Sequence, residues 1–178
     1  MRKLGKLLWC GFSIFLLGCS AQGVTFYPEK GEKKELPLLE AKKVRLLGWN
    51  EEGERLWEIE ALRAVEFKDF TLLENPVAYL YQKGEKIARV EAKKATLFTS
   101  QALLTLKGEV SLVSLPEGDR LFTSFLKWEG KKKKISTPEK VIIKRKGMTL
   151  EGEGLIAELD LSYIEIKSKV KTYFGGKE

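Results

Sequence analysis

LFTSFLKWEGKKKKISTPEKVIIK, residues Leu121 to Lys144, carries the clearest strand–turn–strand pattern in the chain. Its first part alternates, with Leu121, Thr123 and Phe125 on one face and Phe122, Ser124, Leu126 and Trp128 on the other. The run breaks at Gly130 and the lysines Lys131 to Lys134. It resumes as Ile135 to Lys144, centred on Val141, Ile142 and Ile143. Period-two patterning on both sides of a polar turn predicts a β-hairpin.

The hairpin recurs along the chain. LWEIEALRAVEF (Leu56 to Phe67), IARVEAKKATLF (Ile87 to Phe98), DRLFTSFLKWEG (Asp119 to Gly130) and MTLEGEGLIAEL (Met148 to Leu159) align on small residues. Ala61, Ala92, Ser124 and Gly154 lie 31, 32 and 30 residues apart. Each segment is followed by a run with a valine in a similar place. These valines, Val77, Val110, Val141 and Val170, are spaced by 33, 31 and 29 residues. Two markers with nearly one period predict an internal repeat of about 30 residues. Gln82 to Glu85, Lys107 to Glu109, Pro116 to Asp119 and Lys146-Gly147 supply turn residues between the runs. No helical spacing is sustained after the leader. The reading is all-β: repeated hairpins making a dozen or more short strands over residues 38–174, with 175–178 a tail.

The N-terminus is of another kind. Arg2, Lys3 and Lys6 precede the apolar run Leu7 to Leu17. Eleven helical residues rise about 16 Å, roughly half of a bilayer's ~30 Å core, so residues 1–18 read as a signal peptide. Leu16-Leu17-Gly18-Cys19 resembles the bacterial lipobox, with Cys19 the lipidation site. Ordinary secretory cleavage, leaving Cys19 a free thiol, is the alternative. Loss of the leader lowers the formal charge of +7 by three and removes Cys10, leaving one cysteine and no possible internal disulfide. A multiply acylated cysteine gains about 0.8 kcal/mol per buried methylene, enough for stable membrane attachment. Residues 19–37 hold Gly23, Pro28, Gly31, Pro37 and mixed charges without periodicity, and so read as the lipidated cysteine and a flexible linker.

Composition excludes much chemistry. The chain has no histidine, so it has no Ser-His or Cys-His dyad and no usual metal site. Glu151 with Glu153, and Glu158 with Asp160, are spaced like neighbours on a solvated strand face. Gly152-x-Gly154 opens no helix, so it is no phosphate loop. An enzyme is not expected, nor a catalytic residue, metal or cofactor. The lysine cluster has three readings: nucleic acid, anionic lipid phosphate, or a solvated turn that deters edge pairing. Export argues against nucleic acid, and the solvated turn is the simplest.

With these features in place, the chain resembles the lipopolysaccharide-transport LptC family, within the OstA-like, LptA-like β-jelly-roll group. The residues carrying the resemblance are Trp57-x-x-x-Ala61-x-x-Ala64, Leu121-Phe122-Thr123-Ser124-x-Leu126-x-Trp128, Ile135-Ser136-Thr137-Pro138-x-x-Val141 and Gly152-x-Gly154-Leu155 before Val170. It covers about Leu38 to Phe174. The better-known members hold the inner membrane by an N-terminal transmembrane helix, whereas this chain carries Cys19 followed by Ser20. That difference leaves the choice of membrane open.

The resemblance implies a twisted, open, V-shaped β-jelly roll of two sheets around an apolar groove. The groove would receive lipopolysaccharide from an inner-membrane ABC transporter and pass it to an LptA-like periplasmic protein by edge-strand pairing. The expected location is the periplasm, lipid-anchored, on the periplasmic face of the inner membrane. By strand alternation the groove candidates are Trp57, Ile59, Val77, Tyr79, Val90, Leu104, Leu106, Val110, Phe122, Ile142 and Leu155. For each of them an ordinary sandwich core is the competing role. The last strand, Tyr163 to Phe174, offers Ile164, Ile166, Val170 and Tyr173 as a partner edge. There Lys167, Lys169 and Lys171 would guard against promiscuous pairing. The alternative functions are a structural lipoprotein with a closed β core and no groove, and an outer-membrane assembly lipoprotein.

Overall fold

The computed structural model describes residues 36–175. The expected signal peptide, Cys19, nearly all of the expected linker and the last three residues of the tail lie outside the described residues. Eleven strands follow: β1 Leu39–Trp49, β2 Arg55–Glu66, β3 Thr71–Glu74, β4 Val77–Gln82 and β5 Glu85–Glu91. Then come β6 Lys94–Phe98, β7 Leu103–Ser114, β8 Arg120–Glu129, β9 Lys134–Arg145, β10 Met148–Glu158 and β11 Ile164–Phe174. The only helical turns among the described residues are two single 3-10 turns, Thr99–Gln101 and Gly130–Lys132. The expected short strands are in part long ones.

Pairing explains why. β7 through β11 form an antiparallel ladder in chain order, and β1 pairs β2 along its length. Between these blocks the ladder runs twice: β2 pairs β4 through Trp57 to Glu60 and β3 through Arg63 to Glu66. β7 likewise pairs β5 through Ser111 to Ser114 and β6 through Leu103 to Lys107. With β4–β5 and β3–β6 also paired, the six strands close a ring. β3–β4 and β5–β6 are thus two long strands broken at Asn75-Pro76 and Ala92-Lys93. The unit is nine antiparallel spans, each bent near its middle, and the arms on either side of the bends make two sheets around one interior.

The bend is what the sequence repeats. Ala61, Ala92, Ser124 and Gly154 all lie at the bends of β2, β5–β6, β8 and β10; Ala61, Ala92 and Gly154 are buried there, while Ser124 is exposed on the outside of its bend. Val77, Val110, Val141 and Val170 open the outgoing arms of the spans between. Three of the four follow a bulged residue or one in left-handed backbone: Asn75 (φ 47°), Glu109 (φ 48°) and Lys169 (φ 53°). Lys107 to Glu109, expected as a turn, is instead the bulge inside β7. Gly108 at φ 79° and Glu109 redirect the strand without reversing it.

Bends also reset alternation. In β8 the inward side chains are Leu121 before the bend and Leu126 and Trp128 after it, so Phe122 and Trp128 do not share a face. In β2 they are Trp57, Ile59 and Ala61, then Ala64. Both sheets send their inward residues into one cluster. Ile59, Leu80, Val90, Leu104, Leu106, Leu112, Leu126, Ile135, Ile143 and Leu155 are wholly buried there. At about 1.5–3 kcal/mol per fully buried side chain, this cluster is the main source of stability.

Candidate functional site

The eleven groove candidates divide by face. Trp57, Ile59, Val90, Leu104, Leu106, Val110 and Leu155 belong to the buried cluster. Val77, Tyr79, Phe122 and Ile142 lie on the outer surface, half-buried, which corrects their placement by alternation. Register gives the reason: residues directly opposite on paired strands share a face. Trp57 and Ile59 face inward, so their partners Leu80 and Ala78 do as well, and Tyr79 and Val77 point away. Phe122 and Ile142 are opposite each other on the outside, with Lys144 Nζ 5.9 Å from the Phe122 ring centre.

The interior is sealed in its middle and not at its first end. β1 has no strand on its outer side among the described residues, and its inward Ala41, Val44 and Leu46 are only half-buried. Behind them lies an apolar cavity of about 240 Å³, walled by Ala41, Val44, Leu46, Trp57, Ala64 and Leu97. Trp57 is seated there by Gly48, where a Cβ would fall 2.0 Å from the indole Cε2. Whole-ligand pockets run to about 300–1,000 Å³, so this cavity suits a segment of an aliphatic chain. Sequence reasoning missed Val44 and Leu46, although KVRLLGW carried a period-two signal.

Polar networks on the outer face fasten this half-packed strand. Glu58 of β2 is buried beneath Arg45 of β1, Tyr81 of β4 and Lys86 of β5. The Tyr81 hydroxyl donates to its Oε2 at 2.8 Å, and Arg45 donates to Oε1 from Nε and Nη2 at 3.0 and 2.6 Å. The Tyr81 hydrogen bond, then that of Arg45, holds the Glu58 carboxyl below the usual glutamate range despite burial. On the other arm Arg63 donates to Glu40 of β1 at 2.8 Å and Glu74 of β3 at 2.9 Å. Nothing local in LWEIEALRAVEF shows that β1 and β5 each deliver a cation, and β4 a tyrosine hydroxyl, to Glu58.

At the last end, β11 pairs only β10 among the described residues. Ile164 and Ile166 pack on the core, while Val170 and Tyr173 are exposed. Gly152 lets β11 approach, since a Cβ there would sit 2.3 Å from Ile166 Cγ2. Lys169 pairs with Glu153 at 2.8 Å. Nearby, Arg145 bridges the tips of the two sheets. It donates to Asp119 at 2.6 Å and to the Leu161 carbonyl at 2.6 Å, below the buried Leu159 and Leu161. In the lysine tip, Lys132 and Lys127 clasp Glu129 at 2.7 and 3.0 Å and lower its carboxyl's affinity for protons.

Among the described residues no group of histidine, cysteine, aspartate and glutamate is placed to hold a metal, and no helix is long and apolar enough to cross a membrane. The chain is similar to the LptA-homologous periplasmic component LptH of the Pseudomonas aeruginosa lipopolysaccharide transport device. Identity is 8%, coverage 78% of this chain and 94% of that one, and the TM-score 0.34. No curated protein matches the sequence. A family profile described as lipopolysaccharide-assembly, LptC-related, matches residues 7–175, nearly the whole length. The chain therefore belongs to the LptC-related lipopolysaccharide-assembly family, and its role is in lipopolysaccharide transport.

Proposed function

We propose that the protein is a membrane-tethered carrier that holds acyl chains of lipopolysaccharide between its two sheets and passes them on along its last strand. The observation that carries this is the apolar cavity left open behind β1. The lipid would arrive there from an inner-membrane ABC transporter of the Lpt system, and Cys19 would supply the anchor on the periplasmic side. β11, whose outer edge has no strand partner among the described residues and which carries lysines in alternation, suits strand addition to an LptA-like jelly roll. A few inward side chains contributing about 1.5–3 kcal/mol each would hold an acyl chain while leaving it transferable.

A photo-crosslinker at Leu106 or Trp57 is expected to capture lipopolysaccharide in a reconstituted transport system, while one at outward Phe122 or Glu91 is not. Labelling only from the outward pair would defeat the proposal. A closed-core scaffold lipoprotein is the second reading, favoured by complete burial at the middle of the interior. It predicts no capture at any of the four sites. A role in assembly at the outer membrane would place the chain in that fraction when the two membranes are separated.

A further inference from the structure

Next to the apolar cavity is a second hollow of different chemistry. It is about 520 Å³, within the range of whole-ligand pockets, and shares Thr99 with the cavity wall. It lies between the β1–β2 turn, the Thr99–Gln101 turn and the lysine tip. Leu56, the buried Ala102 and the buried Gly130 join it to the core. Its rim carries Glu51 and Glu52 from one side and Lys131 and Lys133 from the other. No carboxylate lies within 4 Å of either lysine nitrogen among the described residues, and neither glutamate is bridged. Both signs therefore face one hollow without neutralising each other.

Two further observations point to a ligand. Trp49 flanks the hollow with half its surface exposed, and Arg55 lies 5.9 Å from its ring centre. Deeper in, a narrow extension of about 60 Å³ shares Asn50, Glu54, Leu56, Gly130 and Lys133 with the hollow and is lined by Trp128. Trp128 is 2% exposed, and its indole N–H is buried without a hydrogen-bond partner. A buried donor left unpaired is costly, which favours an acceptor that reaches it.

We infer that this hollow is a subsite for a saccharide, the sugar end of the same glycolipid whose acyl chain fills the adjoining cavity. A purely anionic ligand would be repelled by Glu51 and Glu52, and a purely cationic one by Lys131 and Lys133. Sugar hydroxyls both donate and accept, so they use the two signs together. An exposed indole offers an apolar platform to a pyranose face. The polar hollow and apolar cavity, meeting at Thr99, match the two halves of an amphipathic molecule. The inference rests on the carrier reading and adds to it the position of the head group.

The test uses the full chain in zwitterionic detergent, labelled with 15N at the tryptophan indoles. Titration with a glucosamine disaccharide lacking acyl chains is expected to shift the Trp49 and Trp128 indole signals and leave that of Trp57 in place. Inorganic phosphate alone is expected to shift neither. In the crosslinking assay Trp49→Ala should lower lipopolysaccharide capture at Leu106 by about tenfold, equivalent to ~1.4 kcal/mol. Lys131→Ala with Lys133→Ala should act in the same direction. A Trp49 response to phosphate with none to the disaccharide would overturn the saccharide assignment. So would unchanged capture in Trp49→Ala, which leaves the carrier reading intact. Absence of capture at Leu106 in the unaltered chain would overturn both.

Discussion

Among the described residues β1 and β11 each pair on one side only, but the surfaces behind them differ. Behind β1 the inward side chains Val44 and Leu46 are half-buried over an apolar cavity, and ion networks through Arg45 and Arg63 fasten the strand. Behind β11, Ile164 and Ile166 close on the core and the outgoing arm projects Val170 and Tyr173. One end is built to leave space inside, the other to present a backbone outside. A stack of spans has two ends for geometric reasons; under the proposed carrier function, their different packing would make transfer directional.

The middle of the stack sets the scale against which the ends are measured. Leu106→Ala, wholly buried, is expected to cost about 2–5 kcal/mol in denaturant unfolding. Leu46→Ala should cost clearly less, because its site is already half open. Equal costs would mean that the first end is sealed in solution.

Alanine at either close-approach glycine separates the ends by function. Each substitution should cost roughly 1–3 kcal/mol through overpacking. Gly48→Ala pushes on Trp57 and should lower lipid capture at Trp57 and Leu106 while leaving edge pairing to an LptA-like partner unchanged. Gly152→Ala pushes on Ile166 and should do the reverse. Loss of both activities in both variants would erase the distinction between the ends.

Glu58 separates the two ends by pH. Its carboxyl is held low in the folded chain by Tyr81 and Arg45, so the unfolded chain binds the proton more readily. Its contribution is therefore complete above the ordinary glutamate range and lost as pH falls through the lowered folded value. Glu58→Gln should cost roughly 1–2 kcal/mol at pH 7. The gap in melting temperature from the unaltered chain should narrow as the solution is acidified below that range. Hydrogen exchange in this variant should rise first in β1, with β11 unaffected. The smallest effect is expected at the lysine tip, where Lys132→Ala should leave the unfolding midpoint unchanged, since the Lys132–Glu129 pair is solvent-exposed on the lysine side.

Much of this was legible from residues alone. Strand character, the hairpin between β8 and β9 and the 30-residue period follow from local alternation and turn chemistry. The period even marks the bends, because a strand that must turn a corner needs a small residue or left-handed backbone at that point. The family resemblance rested on those same residues, and the profile match bears it out. Seven of the eleven interior candidates face inward for the expected reason. Phe122 failed because the bend at Ser124 shifts the alternation by one residue, and a phase shift leaves no mark in composition. Val77 and Tyr79 failed because their facing is set by strand β2, some twenty residues away.

The β class and the repeat were readable along the chain, because each depends on sequence neighbours. Which face of each arm is inside was set by the tertiary structure, since that depends on cross-strand register. It alone decided that Glu58 is buried under cations from other strands, and that the interior is left open behind β1 and closed before β11. The hairpin at Leu121 to Lys144 belongs to both accounts. Its strands and turn were readable locally, while the inward wall proved to be Leu121, Leu126, Trp128, Ile135, Val141 and Ile143 only once the bends fixed the phase.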